Sequence, residues 1–186
     1  MRRFVLAWVL TDALGSDLYF RCYFRAGILG ALARYFFFVD ELRLRYRIGL
    51  VLEERGAVAL VGLPPCPYLK VSDLSPLTHW LICLQGKAFA DRWTALSNVE
   101  SSSKMKNVIY LSAIACTKSM RRKSAASQLL SIIRLYARER DLNVTCEVSS
   151  SELVAWYKSR GFVVTGESQL PNGCPVLQLK AFNSMD

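Results

Sequence analysis

A basic turn made of small residues is the part of this sequence best suited to chemistry, because it precedes a helix and could hold an anion. It consists of Arg121, Arg122, Lys123, Ser124, Ala125 and Ala126. The first turn of a helix has unpaired N–H groups and carries roughly half a positive charge. The three cations add to that charge, and the small residues let a bulky anion reach the backbone. The pattern predicts a phosphate-binding turn, with an ordinary solvated basic turn as the alternative.

The elements on either side of the turn must position it. The apolar run 108–116 predicts a strand before the turn, and residues 142–148 predict a second strand after it. Between them, apolar residues recur at i, i+4, i+7 and i+8 spacing, which predicts an amphipathic helix. These residues are Ala125, Leu129, Ile132, Ile133, Tyr136 and Ala137. Strand, turn, helix and strand form a βαβ unit whose helix begins at the anion-binding turn.

From this unit onward the chain resembles the GNAT acyltransferase superfamily, over about residues 107–180. The family pattern is a strand, then Arg/Gln-x-x-Gly-x-Gly/Ala at the head of a helix, then a strand and a Tyr-x-x-x-Gly-Phe segment. Arg121-x-x-Ser124-x-Ala126 fits the first motif with one departure, and 157–162 fits the last. The resemblance implies an α/β fold, a GNAT-like mixed, splayed central sheet flanked by helices.

The resemblance also implies a co-substrate, acetyl-CoA or another acyl-CoA, lying between two splayed parallel strands. In the family, the pantetheine arm pairs with the backbone at the end of the fourth strand, here Ile114, Ala115 and Cys116. The pyrophosphate lies on the amides of the turn 121–126. The implied reaction is direct acyl transfer to an amine of unknown identity, a small molecule or a peptide, without a covalent enzyme intermediate. The main alternative is a non-catalytic acyl-CoA-binding module of the same fold.

Two residues are candidates for catalysis. Tyr157 matches the tyrosine that in the family commonly protonates the leaving thiolate, with an ordinary packed tyrosine as the alternative. An amine with a pKa near 10.4 costs about 4.6 kcal/mol to deprotonate at pH 7, so a general base would help. The strand 108–116 contains no carboxylate. Glu147 on the next strand is the candidate base, and a surface glutamate is the alternative.

The sequence departs from the family pattern at two points. Ser124 replaces a glycine, and if a left-handed backbone is required there, serine costs about 1–2 kcal/mol. An N-cap role for Ser124 would avoid that cost. The asparagine often found six or seven residues before the tyrosine is replaced by Ser150 and Ser151, and Ser151 remains a candidate coenzyme contact. Both departures favour the binding module.

Composition predicts one domain over residues 1–186, because 52% hydrophobic content can fill a single core of this length. The six cysteines include no Cys-x-x-Cys pair, and the single histidine disfavours a metal site. The net charge of +9 suggests an anionic partner. Arg43, Arg45 and Arg47 alternate with apolar residues, which would place all three on one solvent-facing side of an extended segment. A third alternative is a basic nucleic-acid-binding protein, which would need these arginines to form one stripe with the cations 121–123. Without any nucleic-acid-binding signature, we expect no specific nucleic-acid partner.

The amino terminus imitates a short signal peptide, with Met1-Arg2-Arg3 before the apolar run 4–10. Asp12 follows closely and ends the apolar stretch, and no uncharged apolar stretch approaches the ~18 residues that span a bilayer. We therefore expect a cytoplasmic protein without a membrane partner. Residues 2–12, 25–41 and 75–97 are predicted to be helical. Residues 48–53 and 57–63 are predicted as strands, and 163–167 with 176–182 as a closing hairpin.

Overall fold

The computed structural model describes residues 2–44, 46–52, 56–65, 71–98, 107–117, 124–169, 173 and 175–182. The helices within these ranges are α1 Arg2–Ala13, α2 Leu18–Tyr23, α3 Ile28–Glu41, α4 Pro76–Leu84, α5 Lys87–Asn98, α6 Ala125–Arg138 and α7 Ser151–Lys158. The strands are β1 Arg47–Leu52, β2 Ala57–Gly62, β3 Val108–Cys116, β4 Asn143–Val148, β5 Val163–Gln169 and β6 Pro175–Ala181.

The six strands form one mixed sheet in the order β1-β2-β3-β4-β6-β5. The central pair, β3 and β4, is parallel, because α6 carries the chain back across the sheet between them. Every other neighbouring pair is antiparallel. The mixed α/β fold with helices flanking the sheet, predicted from the sequence, is confirmed.

The two central strands separate partway along their length. Their pairing runs from Val108 opposite Asn143 to Leu111 opposite Cys146, although β3 continues to Cys116 and β4 to Val148. On the other side of β3, β2 pairs with Leu111 and then with Ala113, so the ladder skips Ser112. This one-residue bulge bends a strand and increases its local twist. The bulge and the separation occur at the same level of the sheet.

Helices cover both faces of the sheet. On one face α1, α2, α3 and α4 pack against β2 and β3 around Leu10, Phe38 and Leu60. On the other face α6 and α7 pack around Leu129 and Ile133. All six residues of β2 are buried as a consequence. The aromatic run of α3 contributes to this core, since Phe37 and Phe38 are buried.

Two details of the amino-terminal half differ from the sequence-based expectations. The predicted helix 75–97 is two helices, because Gly86 has φ 107° and follows the end of α4. The predicted solvent-facing arginine row is wrong for Arg47, which is buried at the start of β1. Arg43 is largely exposed, and Arg45 lies outside the described residues. Within the described ranges, no helix is long and apolar enough to cross a membrane.

Arg47 is buried together with a carboxylate at the end of α3. Its guanidinium lies 3.5 Å from Glu41, and their side chains are 1% and 2% exposed. Ser112, the residue skipped in the β2–β3 ladder, donates its hydroxyl to the same carboxylate at 3.2 Å. Burial raises the pKa of Glu41, whereas Arg47 and Ser112 lower it. The buried Arg47–Glu41 ion pair is therefore linked to the bulge through the hydroxyl of Ser112.

We predict that Arg47→Met destabilises the protein by about 3–5 kcal/mol at pH 7, because it leaves the Glu41 carboxylate buried without its ion pair. The folded-state pKa of Glu41 would then lie further above its ordinary 4.5. The loss should shrink as the pH falls toward 4.5, where protonated Glu41 carries no charge. Denaturant unfolding at the two pH values measures both effects.

The matched control for this prediction is Lys87→Met. Lys87 also pairs with a carboxylate, Asp91, at 2.7 Å, but the two side chains are 87% and 61% exposed. Removing this exposed pair should cost less than about 1 kcal/mol. A similar loss in both variants, or a loss at Arg47 that does not depend on pH, would contradict the role given to the buried pair.

Candidate active site

A cavity of about 290 Å³ lies where the end of β3 meets the first turn of α6 and the helix α7. It is open to the surface, and small side chains form much of its wall. The residues that line it are Cys116, Ser124, Ala125, Ala126, Ser127, Trp156 and Arg160. The N–H groups of the first turn of α6 have no partners within the helix, so this end of the cavity favours an anion.

The structure brings together several of the coenzyme contacts predicted from the sequence. Cys116, Ser124, Ala125 and Ala126 all line the cavity. Arg121, Arg122 and Lys123 lie outside the described residues. Ser151 is the first residue of α7 and is exposed, but it does not line the cavity.

The predicted strand contacts lie on the part of β3 beyond the bulge. Ile114 and Ala115 pair with Ala59 and Val58 of β2, which satisfies one edge of the strand. The opposite edge faces β4, yet the described register between these strands ends at Leu111. An extended ligand could therefore hydrogen-bond to the β3 backbone in the gap, as an added strand does.

Ser124 adopts the backbone conformation that a glycine would favour. It occupies the N-cap position of α6 with φ 60° and ψ 2°, in the left-handed region, and its side chain makes no capping hydrogen bond. The expected N-cap hydroxyl contact is therefore not formed. For an ordinary residue this backbone costs about 1–2 kcal/mol, which explains why glycine suits the position.

Tyr157 is a residue of α7 whose side chain is buried in the core, and it does not line the cavity. Its ring packs edge-on against Trp156 and Phe162, at centroid distances of 4.8 and 5.0 Å, and only 4% of the residue is exposed. Burial raises the pKa of Tyr157 well above its usual range, and the hydrogen-bonded Cys146 adds to the effect. Burial also raises the pKa of the Cys146 thiol to about 12. The phenol is therefore protonated at neutral pH.

Glu147 lies on one face of β4. Cys146, the hydrogen-bond partner of Tyr157, lies on the other face. Side chains alternate along a strand, and Cys146 and Val148 belong to the core under α6 and α7. Glu147 is half-buried and directly follows the last residue of β4 that pairs with β3. Tyr110 donates its hydroxyl to the Glu147 carboxylate across 3.5 Å. The two predicted catalytic residues thus flank the point where the strands separate.

Sequence reasoning missed the helix α2, which is electrostatically coupled to both candidates. Asp17 caps this helix by accepting hydrogen bonds from the N–H groups of Tyr19 and Phe20. Burial raises the pKa of Asp17, and its charge contributes to the raised pKa of Tyr157. Tyr23 has its pKa raised to about 12 by burial, then by Cys22 and Glu147. Asp17 before an aromatic segment was an N-cap signal that could have indicated the helix.

Sequence reasoning also missed Arg160 as a site residue. Its guanidinium lies 4.0 Å from the ring centroid of Trp156 and donates to the Ser127 hydroxyl at 2.8 Å. Arg160 follows Trp156 by four residues, just beyond the end of α7, and at this spacing a cation can stack on a ring, so their contact could have been predicted. The reach to Ser127 depends on how α6 packs against α7.

Comparisons of the sequence and of the fold with known proteins both find acetyltransferases. A family model described as an acetyltransferase (GNAT) domain matches residues 95–181. A structure from Corynebacterium glutamicum, described as histone acetyltransferase HPA2 and related acetyltransferase, aligns with TM-score 0.68 and 19% identity, covering 100% of this chain and 94% of that one. The ribosomal-protein-S18-alanine N-acetyltransferase from Escherichia coli aligns with TM-score 0.54 and 12% identity, covering 98% and 89%. A search of curated proteins finds no match.

We predict that Ser124→Ala changes the free energy of unfolding by less than about 0.5 kcal/mol, because no capping hydrogen bond is lost. Ser124→Gly should instead stabilise the protein by up to about 1 kcal/mol, since relief of the left-handed backbone outweighs the entropy of glycine. Denaturant unfolding of both variants measures these changes.

Ser75→Ala is the matched control, because Ser75 caps α4 by accepting a hydrogen bond from the N–H of Thr78. That variant should lose about 0.5–2 kcal/mol. Equal losses in Ser75→Ala and Ser124→Ala would show that Ser124 acts as a cap after all.

Proposed function

We propose that this protein, whose residues 95–181 match a GNAT acetyltransferase domain and whose fold is that of GNAT acetyltransferases, transfers an acyl group from acyl-CoA to an amine. Acetyl-CoA is the proposed donor. The observation that carries the proposal is the separation of β3 and β4 beside the first turn of α6. That arrangement offers the β4-facing edge of β3, beyond the last paired residue Leu111, to an amide-containing arm and a helix N-terminus to a phosphate.

The coenzyme would lie along the gap in an extended form. Its pantetheine arm would pair with the β3 backbone at Ile114, Ala115 and Cys116. Its pyrophosphate would reach the first turn of α6 at Ser124, Ala125 and Ala126. The cations of the segment 121–123 precede this turn directly in the sequence. Their charges would add to the partial positive charge of the helix end.

The proposed reaction is a direct attack of the amine nitrogen on the thioester carbonyl. A C–N bond forms, the C–S bond breaks, and the CoA thiolate leaves. Glu147 would accept the proton that the ammonium form of the acceptor must lose before it attacks. Tyr157 would donate its proton to the departing sulfur, and the phenolate left behind would be reprotonated by the second proton, which the nitrogen loses as the amide forms. Burial raises the pKa of Tyr157, so its hydroxyl is protonated before the reaction begins.

The placement of Glu147 and Tyr157 fits this division of roles. Glu147 lies on the face of the sheet that carries α1–α4, and Tyr157 belongs to the core on the face that carries α6 and α7. A thioester threaded between β3 and β4 would be reached by the base from one face and by the acid from the other. The amine acceptor would then approach from the side of α2, where Asp17 and Glu147 supply negative charge to attract a cation.

A non-catalytic acyl-CoA-binding module remains the second candidate. It is favoured by the serine at position 124 and by β3, which carries no carboxylate. It is also favoured by the burial of Tyr157 away from the cavity lining. A turnover assay distinguishes the two, since both candidates bind the coenzyme but only the enzyme acylates an amine. The cytoplasmic location stays a prediction from the sequence.

We predict that Tyr157→Phe lowers turnover of acetyl-CoA with an accepted amine by at least about tenfold, because general acid catalysis typically contributes 10²–10⁴-fold. The affinity for CoA should stay within about threefold, since the contact is made mainly in the transition state. Steady-state kinetics and calorimetric titration with CoA give the two quantities.

Tyr136→Phe is the matched control, because this half-buried tyrosine of α6 packs under Arg140, 3.8 Å from the ring centroid. It should keep full turnover. Equal turnover in Tyr157→Phe and the unmodified protein would remove Tyr157 from the mechanism.

In the same assay, Glu147→Gln should lower turnover at pH 7. That loss of turnover should shrink near pH 10, where the amine loses its proton without a base. CoA binding without turnover across a broad amine panel would favour the binding module.

A further inference from the structure

Arg160 places a guanidinium at the end of the cavity where the first turn of α6 begins. Its Nη2 donates to the hydroxyl of Ser127, a residue of that first turn, at 2.8 Å. Both residues line the cavity. The guanidinium therefore lies beside the N–H groups of α6 that lack helical partners.

The position of this guanidinium is fixed by several contacts. Nη1 donates to the carbonyl of Trp156 at 2.8 Å and to the Ser159 hydroxyl at 2.9 Å. One face of the group stacks on the Trp156 ring at 4.0 Å. Arg134 of α6 donates to the main-chain carbonyl of Arg160 at 2.5 Å, which holds the backbone that carries the side chain. These contacts hold the group in one place before any ligand binds.

The positive charges at and beside Arg160 favour the binding of an anion. In the described part of the chain, no carboxylate forms an ion pair with it. The neighbouring helix end is itself positive, so two positive groups face one cavity without a negative one between them. Within the described part of the chain, hydrogen bonds use three of the five N–H donors of the Arg160 guanidinium.

We propose that Arg160 binds the pyrophosphate of the coenzyme and thereby discriminates CoA from donors that lack it. This inference rests on the proposed function, since it takes acyl-CoA as the ligand of the cavity. The pyrophosphate is chosen over the 3′-phosphate because the contact with Ser127 places the guanidinium at the first turn of α6. There one phosphate oxygen can accept from the guanidinium and another from the helix N–H groups.

The test is calorimetric titration of the unmodified protein and of Arg160→Met with three probes: CoA, dephospho-CoA and pantetheine. Dephospho-CoA keeps the pyrophosphate and lacks the 3′-phosphate, whereas pantetheine lacks both. We expect Kd to rise about ten- to a hundredfold for CoA and dephospho-CoA alike, as for the loss of charged hydrogen bonds. Pantetheine should bind both proteins equally.

The matched control is Arg138→Met, which removes the same charge from the exposed last turn of α6. It should leave all three affinities within about twofold, because its charge is far from the first turn. A loss for CoA but not dephospho-CoA would assign Arg160 to the 3′-phosphate and overturn the inference. An equal loss for pantetheine would show a structural role only. Failure of the unmodified protein to bind CoA would refute the proposed coenzyme itself, and this inference with it.

Discussion

The separation of β3 from β4 is the constraint on which the rest of the site depends. Parallel pairing stops after Leu111 and Cys146, at the level where the β2–β3 ladder skips Ser112. A bulge redirects a strand, so the remaining residues of β3 diverge from β4 instead of continuing the ladder. The gap that results brings the backbone of β3 beyond Leu111 to a position where an extended ligand could lie beside it.

The bulge connects the two halves of the chain. Ser112 donates to Glu41 at the end of α3, and Glu41 pairs with Arg47 at the start of β1. Both charged residues precede the segment 95–181 that matches the family model. The amino-terminal half therefore supports the bulge from one face, while α6 and α7 form the cavity on the other. This sharing of one sheet and one bulge supports the proposal of a single domain.

Features that depend on local sequence signals could be predicted from the sequence. Features that depend on contacts between residues far apart in the chain could not. The βαβ unit was predictable, because the periodicity of α6 and the apolar runs of β3 and β4 are local signals. The burial of Arg47 was not, since it depends on a carboxylate that α3 brings to it across the fold. The left-handed backbone of Ser124 was anticipated only as one of two alternatives. The contact between Arg160 and Ser127 required the packing of α6 against α7.

Calorimetric titration of the unmodified protein with CoA tests the central claim most directly, because the account requires the gap between β3 and β4 to receive this ligand. We predict saturable binding of one CoA per chain, with Kd in the micromolar range that a few charged hydrogen bonds supply. Bound CoA should also protect the Cys116 thiol, which lines the cavity, from alkylation. Absence of binding at millimolar CoA, with Cys116 alkylated at an unchanged rate, would contradict the account.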